Sequence, residues 1–515
     1  MNTTARFICT VLTAACLPIS MMCAQPVLAA AHADWTMFGW DVGRSSAPNV
    51  PMGITAANLK MLQRQQVRID GTVDASAIYL HGVTVKDAVY NVFFITTTYG
   101  KTLAIDADSG TVLWEFTPAS YDSLKGSYRI TTATPVADPD RQAIYAASPD
   151  GVIRKLAVGD GHVEWSTSIT RLPAREKIAA PLAFFNGRVI ATTGGYIGDE
   201  PPYQGHVVIL DAGTGKLLHV WNALCSHRLE LLDPGSCPQS DAAIWGRAGA
   251  VIDAHTGNIF VATGNALWNG VQYWGDAVIE LNADATKILG NYTPTNTEYL
   301  NDNDLDLGST SPVLTGGPYV VQGGKDGILH VLDWRKLQGT APHRGGESSS
   351  TPTPDGDRLF TAPAVWHHAG ATWIFVADNG GTAAFTLNGD TLHRQWHNDR
   401  AGTSPVVVDG LVFVYDPHGG LYVYAATSGQ RLDKLDCGGG HWNSPIVMDG
   451  RIALPEGDAN DHDTHGVLDI WRLPPLLTRK PNIAGKESWQ RSHGCHPEPP
   501  SNCGHDRTLG PPACL

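Results

Sequence analysis

The sequence has 515 residues, which is too long for one compact core and predicts several domains or an array of repeats. Its 36 Lys and Arg against 50 Asp and Glu leave a net charge of −14, which argues against a nucleic-acid partner because such a partner needs a basic surface. Charged residues make up only 17%, whereas Gly (55), Pro (33) and Trp (15) are frequent, a composition typical of many short strands joined by turns.

Residues 1–33 have the composition of a secretory signal peptide. Arg6 is followed by an apolar run and then by small residues, and cleavage is expected after Ala31 or Ala33. Lipoprotein processing at Cys16 or Cys23 is the alternative. No later stretch is apolar for long enough to span a bilayer, so the sequence predicts a protein that is periplasmic or secreted.

Cleavage would leave six cysteines, an even number that implies disulfides in an oxidising compartment. Cys225 and Cys237 bracket one loop and are expected to pair. The connectivity of the other four stays open: Cys437, Cys495, Cys503 and Cys514. Because the sequence has no CxxCH motif, this chain carries no covalently attached c-type haem.

A hairpin pattern recurs eight times along the chain. Its first copy, YGKTLAIDADSGTVLWEFTP at 99–118, is an apolar strand, an Asp/Gly turn and a second strand that ends near a Trp. The later copies, each interpreted as a hairpin, occupy 148–165, 204–221, 275–292, 325–339, 379–396, 418–435 and 465–474. Their spacing of roughly 40–70 residues is typical of propeller blades.

Between the hairpins lies a second recurring phrase, as in STSPVLTGG and GTSPVVVDG, which adds two inner strands to each blade. Its small residues suit a crowded central axis, and the Trp of the outer strand is expected to pack between blades. The last copy lacks a fourth strand, whereas 59–71 is a strand without a blade. Pairing the two predicts an all-β, eight-bladed antiparallel propeller over 34–474, closed by an N-terminal strand and followed by a Pro/Gly/Cys-rich tail at 475–515.

The hairpin pattern A-x-D-x-x-T/S-G-x-x-x-W, as in LAIDADSGTVLW, resembles the pyrroloquinoline-quinone (PQQ) repeat. The segment DWTMFGWDVGRSSAP, followed by GITAANLKML, resembles the start of quinoprotein alcohol dehydrogenases and polyvinyl-alcohol dehydrogenases. The resemblance implies a PQQ- and calcium-dependent enzyme that oxidises a small or polymeric alcohol and passes electrons to a separate acceptor. It equally admits a non-catalytic propeller, a binding or envelope-assembly scaffold like the lipoprotein of the bacterial outer-membrane assembly machine.

The resemblance also implies a site on the loops of one propeller face. Glu200 and Asn265 match the family's metal-binding Glu and Asn. Both offer oxygen ligands, which calcium prefers. Asp304 is expected to be a metal ligand and the base that takes the substrate proton, with Asp306 as its helper. Lys325 matches the basic residue that faces the quinone oxygens. Three further residues are expected to bind the cofactor, a stacking platform and two partners of its carboxylates: Trp245, Arg129 and Arg247.

The sequence departs from the family pattern in ways that favour the scaffold. It has no pair of adjacent cysteines, and both Trp245 and the Asp pair are displaced by about one or two residues from their expected spacing.

Two loops each allow two interpretations. The loop between Cys225 and Cys237, expected between blades 3 and 4, is a lid or a stapled insertion. The stretch 455–466 is a divalent-metal site or an exposed polar loop, with carboxylates and imidazoles at Glu456, Asp458, Asp461, His462, Asp463 and His465.

Overall fold

Eight four-stranded antiparallel sheets follow one another in residues 32–474, the part of the chain that this computed structural model describes. They are the eight blades of the predicted propeller, and in each of blades 1 to 7 the strands pair in chain order from the innermost to the outermost. The signal peptide expected at 1–33 falls almost wholly outside the described residues, as do the tail at 475–515 and its three cysteines.

The blades are built from short strands, and each blade runs from its innermost to its outermost strand. The strands of blades 1 to 4 are Ile78–Val85, Ala88–Thr96, Thr102–Asp106 and Val112–Phe116; Val136–Ala137, Ala143–Ser148, Val152–Ala157 and Val163–Ser168; Ala183–Phe185, Arg188–Thr192, His206–Asp211 and Leu217–Asn222; Val251–Ile252, Ile259–Ala262, Val278–Leu281 and Ile288–Tyr292. Those of blades 5 to 8 are Val313–Leu314, Tyr319–Gln322, Ile328–Asp333 and Ser349–Pro352; Ala364–His368, Ala371–Ala377, Thr382–Asn388 and Thr391–Asn398; Val406–Val408, Leu411–Tyr415, Leu421–Ala425 and Arg431–Leu435; Ile446–Met448, Arg451–Glu456, Gly466–Arg472 and Gln63–Ile69.

The core lies between the blades, so the central strands are covered on both faces. Every residue of Ala143–Ser148 and of Leu411–Tyr415 is buried, whereas Val163–Ser168 at an outer edge alternates between exposed and half-buried residues. Burial on both sides explains why the inner strands are continuous apolar runs, because only a sheet with one wet face needs alternating polar residues.

The ring closes through the N-terminal strand, as the sequence predicts. Gln63–Ile69 pairs antiparallel with Gly466–Arg472, with Gln63 opposite Arg472 and Ile69 opposite Gly466. This pairing gives blade 8 its fourth strand. It also ties the two ends of the propeller together and covers the long edge that Gly466–Arg472 would otherwise expose.

The recurring Trp and Gly of the hairpin form a lock between neighbouring blades. Trp114 at the end of blade 1 donates its indole N–H to the carbonyl of Val158 in blade 2, at 2.8 Å. The same ring lies over Gly161, where a Cβ would come within 2.6 Å of it and where φ is +76°. Trp165 and Trp396 make the equivalent bonds to the next blade, at 3.0 and 2.8 Å. Each of these Trp residues packs against the turn of the following blade, which explains why the Trp and the Gly recur at a constant spacing.

Blade 5 departs from the predicted hairpin at 325–339, and that prediction is wrong in its second half. The third strand ends at Asp333 and the chain turns into the 3-10 segment Trp334–Lys336, while the outer strand comes later, at Ser349–Pro352. Trp334 turns inward and donates its indole N–H to the buried Glu280 of blade 4, at 2.7 Å. This bond takes the aromatic residue out of the outer-strand position.

The remaining regular elements are short. One further pair of strands, Glu176–Lys177 and Gly194–Gly195, forms a two-stranded ribbon beside blade 3. The helical segments are Tyr121–Leu124 and Thr297–Asp302, with 3-10 turns at Leu59–Met61, Pro234–Ser236, Leu307–Ser309, Trp334–Lys336 and Ala459–Asp461. No helix in the described range is long and apolar enough to cross a membrane.

The N-terminal segment 35–54 binds the innermost strands of several blades, a role that the sequence patterns do not indicate. Its carbonyls accept hydrogen bonds from the innermost strands of several blades, including Ala137 N, Ile252 N, Val365 N and Val407 N. Arg44, 3% exposed, donates to the carbonyls of Phe38 and Leu182 at 2.8 and 3.1 Å. The segment satisfies inner strand edges that would otherwise face an open channel.

The expected disulfide is present. Cys225 and Cys237 are bonded, with their Cα atoms 6.2 Å apart, and they staple the long connection from blade 3 to blade 4. Cys437 has no disulfide partner within residues 32–474.

Candidate functional site

The candidate site lies on one face of the propeller, which we call the upper face. Two kinds of loop open there: those between the second and third strands of a blade, and those that lead from an outermost strand into the next blade. The first kind carries Asn265 in blade 4 and Lys325 in blade 5. The second kind carries Trp245, before blade 4, and Asp304 and Asp306, before blade 5.

Four of the predicted site residues form one bonded group, which we call the carboxylate–lysine cluster: Asn265, Asp304, Asp306 and Lys325. Lys325 Nζ lies 2.7 Å from Asp304 Oδ1 and 2.6 Å from Asp306 Oδ2. Asn265 donates its side-chain Nδ2–H to Asp304 Oδ1 at 3.1 Å and its backbone N–H to Asp306 Oδ1 at 2.6 Å. The cluster joins blades 4 and 5 at the mouth of the axis.

The two carboxylates of the cluster have different environments. Asp304 has a side chain that is 65% exposed and a left-handed backbone with φ of +55°, and its bonds within residues 32–474 all go through Oδ1. Asp306 is 7% exposed and both of its oxygens are engaged. Asp304 Oδ2 is thus the carboxylate oxygen that is open to a ligand, while Asp306 holds Lys325 and Asn265 in place.

The pKa values of both Asp306 and Lys325 are raised, although burial and charge act in opposite directions on each group. Burial raises the pKa of Asp306, and the nearby Lys325 offsets this only in part. Burial acts to lower the pKa of Lys325, but the two carboxylates outweigh it and hold that pKa above its ordinary value. Lys325 is therefore a permanent cation at neutral pH.

A second buried carboxyl supports the cluster from below. Asp276 is fully buried and accepts a hydrogen bond from Leu307 N at 2.9 Å through Oδ1, whereas its Oδ2 has no partner within residues 32–474. Burial raises the pKa of Asp276 well above its ordinary value, with Asp306 adding to the effect. The bond from Leu307 N to Asp276 thus fixes the turn that carries Asp306.

Trp245 lies beside the cluster, with Lys325 Nζ 5.4 Å from its ring centroid. Two other aromatic rings contact it: Trp442 at 5.5 Å and 32°, and Phe360 at 6.1 Å and 42°. The three rings come from the loops before blades 4, 6 and 8. Gly264 allows the close approach on the cluster side, because a Cβ there would lie 2.6 Å from Asp306 Oδ1 and 3.3 Å from Trp245 Nε1.

The axis beneath these rings carries two buried cations and one buried carboxylate. Arg247, 1% exposed, donates to the carbonyls of Thr132 and Asp74 at 2.9 and 3.2 Å. Lys177, 6% exposed, lies with Nζ 6.0 Å from the Trp442 ring centroid. Burial lowers the pKa of Lys177 to about 8 and that of Arg247 to about 10.

The buried carboxylate, Asp74, is held by three donors. It accepts hydrogen bonds from His441 Nδ1 at 2.7 Å, Trp442 N at 2.8 Å and Ala459 N at 3.2 Å. Burial acts to raise the pKa of Asp74, but His441 and Arg247 overcome this and hold that pKa below its ordinary value. Asp74 thus fixes the position of the loop that carries Trp442.

The Asp- and His-rich stretch 455–466 contributes one side chain to this region, besides the backbone N–H of Ala459. Asp458 Oδ1 lies 3.5 Å from His441 Nδ1, and its ligand atoms lie within 4.8 Å of those of Asp74 and His441. Glu456 turns away from that group to pair with Arg64 at 3.2 Å. The stretch therefore does not gather its own side chains around one point.

Two predicted site residues lie apart from the cluster. Glu200 is 69% exposed and forms an ion pair with Arg175 on the rim. Arg129 donates to the carbonyl of Pro149 at 3.0 Å and contacts Tyr196, between the loops of blades 2 and 3. Arg247 does reach the axis, although it bonds backbone carbonyls there.

Sequence reasoning missed several residues of the upper face. Lys177, Asp74, His441 and Trp442 belong to no motif that the repeat defines. A usable signal was present for Trp442, because GHWNSP places it directly before the small-residue and Pro phrase that opens blade 8. Lys177 stands at a similar place, in KIAAP before blade 3.

Comparison with known proteins identifies the repeat and the fold. A family model for the PQQ_2 repeat, described as outer membrane protein assembly factor BamB, matches residues 65–227. The match spans blades 1 to 3 of the eight-bladed propeller. No curated protein matches the sequence at a significant level.

Solved structures of two functional classes share the fold. Quinohemoprotein alcohol dehydrogenase from Comamonas testosteroni matches with a TM-score of 0.63 at 16% identity, over 90% of this chain and 82% of that one. A europium-containing methanol dehydrogenase matches with a TM-score of 0.63 at 14% identity, over 86% and 98%. BamB from Moraxella catarrhalis matches with a TM-score of 0.50 at 15% identity, over 80% and 97%. At these identities the similarity shows the fold, and the function of this propeller has to be argued from its site.

Proposed function

We propose that the chain is an exported quinoprotein-type dehydrogenase that oxidises an alcohol with PQQ and a divalent or trivalent metal. The observation that carries the proposal is the carboxylate–lysine cluster beside Trp245. Residues from two blades meet there with an open carboxylate oxygen, a fixed cation and an aromatic platform.

The donor set of the cluster suits a hard metal ion. Asn265 Oδ1 is buried and has no partner within residues 32–474. It is an oxygen donor of the kind that calcium and related ions prefer, and Asp304 and Asp306 add negative charge beside it. Lys325 neutralises part of this negative charge. The chain therefore supplies few ligands, and the cofactor and water would complete the coordination shell of the metal.

The aromatic and cationic groups suit a flat tricarboxylate such as PQQ. Trp245 offers a stacking face, and the upper face also presents the cations Lys325 and Lys177. A ring inserted between Trp245 and Trp442 needs roughly 7 Å, two aromatic contact distances, whereas the two centroids lie 5.5 Å apart. Binding on that side of Trp245 therefore requires Trp442 to rotate away.

The chain's own residues then have distinct roles. Asp304 Oδ2 accepts the proton of the alcohol hydroxyl, and Lys325 stabilises the negative charge that develops nearby. Asp306, Asp276 and Asn265 position these two groups. PQQ, when bound, supplies the acceptor for the hydride that leaves the alcohol carbon. Because the chain has no c-type haem motif, its electrons would pass to a separate acceptor.

The test is reconstitution of the purified protein with PQQ and either calcium or europium, followed by gel filtration, absorbance and dye-linked oxidation of a panel of small and polymeric alcohols. We expect retained PQQ absorbance and metal-dependent dye reduction. If the protein retains no PQQ with either metal, the dehydrogenase proposal fails.

A second function, a non-catalytic scaffold, is favoured by the direct Trp245–Trp442 contact and by the exposed position of Glu200. In that case the aromatic rings seal the axis and the propeller surface is the working part. The reconstitution separates the two functions, because a scaffold binds neither PQQ nor the metal.

A further inference from the structure

Lys177 is a buried cation to which the described chain offers no partner. It belongs to the ribbon formed by Glu176–Lys177 and Gly194–Gly195, so its backbone is held in place. Within residues 32–474 its Nζ donates no hydrogen bond and has no carboxylate oxygen within 4.0 Å, although the residue is only 6% exposed. Burial removes part of the hydration of this ammonium, and no protein group in the described range replaces it, which is costly.

The charged groups around Lys177 leave its ammonium without a bonded partner. Arg247 lies close enough to lower the pKa of Lys177 further, and the Nε of Arg247 lacks a partner within the described range. Two carboxylates, Asp74 and Asp458, act to raise that pKa. The oxygens of Asp74 already accept three hydrogen bonds from other groups, and Asp458 Oδ1 lies 3.5 Å from His441 Nδ1. Neither carboxylate forms an ion pair with Lys177 within residues 32–474.

Lys177 and Lys325 flank the same pair of aromatic rings. Trp442 lies 6.0 Å from Lys177 Nζ and 5.5 Å from Trp245, and Trp245 lies 5.4 Å from Lys325 Nζ. Gly194, opposite Lys177 in the ribbon, also abuts Trp245, since a Cβ on it would lie 3.5 Å from Trp245 Cβ. A planar ligand on Trp245 would therefore have one ammonium near each end.

We propose that Lys177, with Arg247 behind it, is an anion-binding subsite that takes a carboxylate carried on a planar ring. The inference rests on the proposed function for the identity of the ligand, which is PQQ. It goes beyond that function by assigning an orientation: one carboxylate of the cofactor points to Lys177 at the axis, and the quinone end points to Asp304 and Lys325.

The test compares wild-type protein with Lys177→Met and Lys177→Arg in two measurements. The first is the Kd for PQQ in calcium buffer, from quenching of tryptophan fluorescence. The second is the melting temperature of the protein without ligand. We expect Lys177→Met to raise the Kd about tenfold to a hundredfold, the loss of one charge-assisted bond, and Lys177→Arg to retain most of the affinity.

The melting temperature distinguishes a ligand-binding lysine from a structural one. Because Lys177 has no partner in the described chain, Lys177→Met is expected to leave the ligand-free protein as stable as wild type or more stable. Lys155→Met is the matched control: Lys155 is also largely buried but pairs with Glu164 at 2.8 Å in blade 2, and its loss should not change the Kd for PQQ.

Three results would overturn the inference. If wild type and Lys177→Met bind PQQ equally, the subsite is wrong while the proposed function stands. If Lys177→Met lowers the melting temperature of the ligand-free protein, Lys177 is structural. If neither protein binds PQQ, the proposed function fails together with the inference.

Discussion

Lys325 Nζ lies 2.7 Å from Asp304 Oδ1, so the open carboxylate of the upper face already faces a fixed cation. The ion pair occupies one oxygen of Asp304 and leaves the other free. The free oxygen is the one available to a substrate hydroxyl. Asp306 and Asn265 hold the pair from behind, because both are bonded to one of its members.

Replacing Asp304 by Asn removes the proton acceptor and keeps its shape. We expect dye-linked alcohol oxidation by the reconstituted protein to fall about a hundredfold or more, with the Kd for PQQ little changed. Asp302→Asn is the control, since Asp302 is exposed and two residues away. Equal losses of activity in both variants would remove Asp304 from the mechanism.

The metal is expected to depend on Asn265 and not on Glu200. Asn265→Ala removes the buried oxygen that has no partner within residues 32–474. We expect the Kd for the metal to rise at least about tenfold, because few protein oxygens are available to a hard cation at this site. Glu200→Gln breaks only the rim ion pair with Arg175 and should leave the Kd unchanged. Terbium luminescence sensitised by Trp245 measures the Kd of both variants. A larger loss of affinity in Glu200→Gln than in Asn265→Ala would identify Glu200 as a ligand.

Gly264→Ala tests the close approach behind the cluster. Its Cβ would lie 2.6 Å from Asp306 Oδ1, so Asp306 has to move, and we expect a loss of about 1–3 kcal/mol in the free energy of unfolding. Gly317→Ala, where the nearest atom would be 3.9 Å away, should cost far less. Urea unfolding monitored by fluorescence compares the stabilities of the two variants. Equal stabilities would show that the loop accommodates the added methyl group without cost.

Asp276→Asn is expected to stabilise the protein increasingly as pH rises. The folded-state pKa of Asp276 is raised above its ordinary value of 3.8, so between those two values the folded state binds a proton that the unfolded state has lost. This cost is absent at low pH, grows above about pH 4 and is removed by Asn, which keeps the acceptor for Leu307 N. Melting curves from pH 4 to 8 test this, with the exposed Asp140→Asn as control. A difference that does not vary with pH would show that Asp276 is ionised in the folded protein.

The affinity for PQQ is expected to fall as pH rises above about 8, because the pKa of Lys177 is lowered by burial to about 8. Arg247 adds to that lowering, while Asp74 and Asp458 oppose it, and a bound carboxylate moves the transition to higher pH. Lys177→Arg should bind PQQ without this pH dependence, since its guanidinium stays charged. Fluorescence titrations from pH 6.5 to 10 check the difference between the two proteins.

The fold was largely predictable from the sequence, because its signals are local. An Asp/Gly turn, a Trp and a small-residue phrase recur along the blades, and the unpaired strand before blade 1 matches the missing strand after Gly466–Arg472. Blade 5 was the exception, since the inward bond from Trp334 to Glu280 depends on a neighbouring blade.

The carboxylate–lysine cluster was predictable through the family resemblance, because equivalent loops of adjacent blades open at one point of the ring. What only the tertiary structure decided is the floor of the site. His441 bonds Asp74 across 367 residues of sequence, and Trp442 meets Trp245 and Lys177 only once the ring has closed. The exposed position of Glu200 was likewise decided in three dimensions, by its pairing with Arg175. Local patterns determine a hairpin, but contacts at the axis of a closed ring depend on the lengths and directions of all the loops at once, and no short stretch of sequence carries that information.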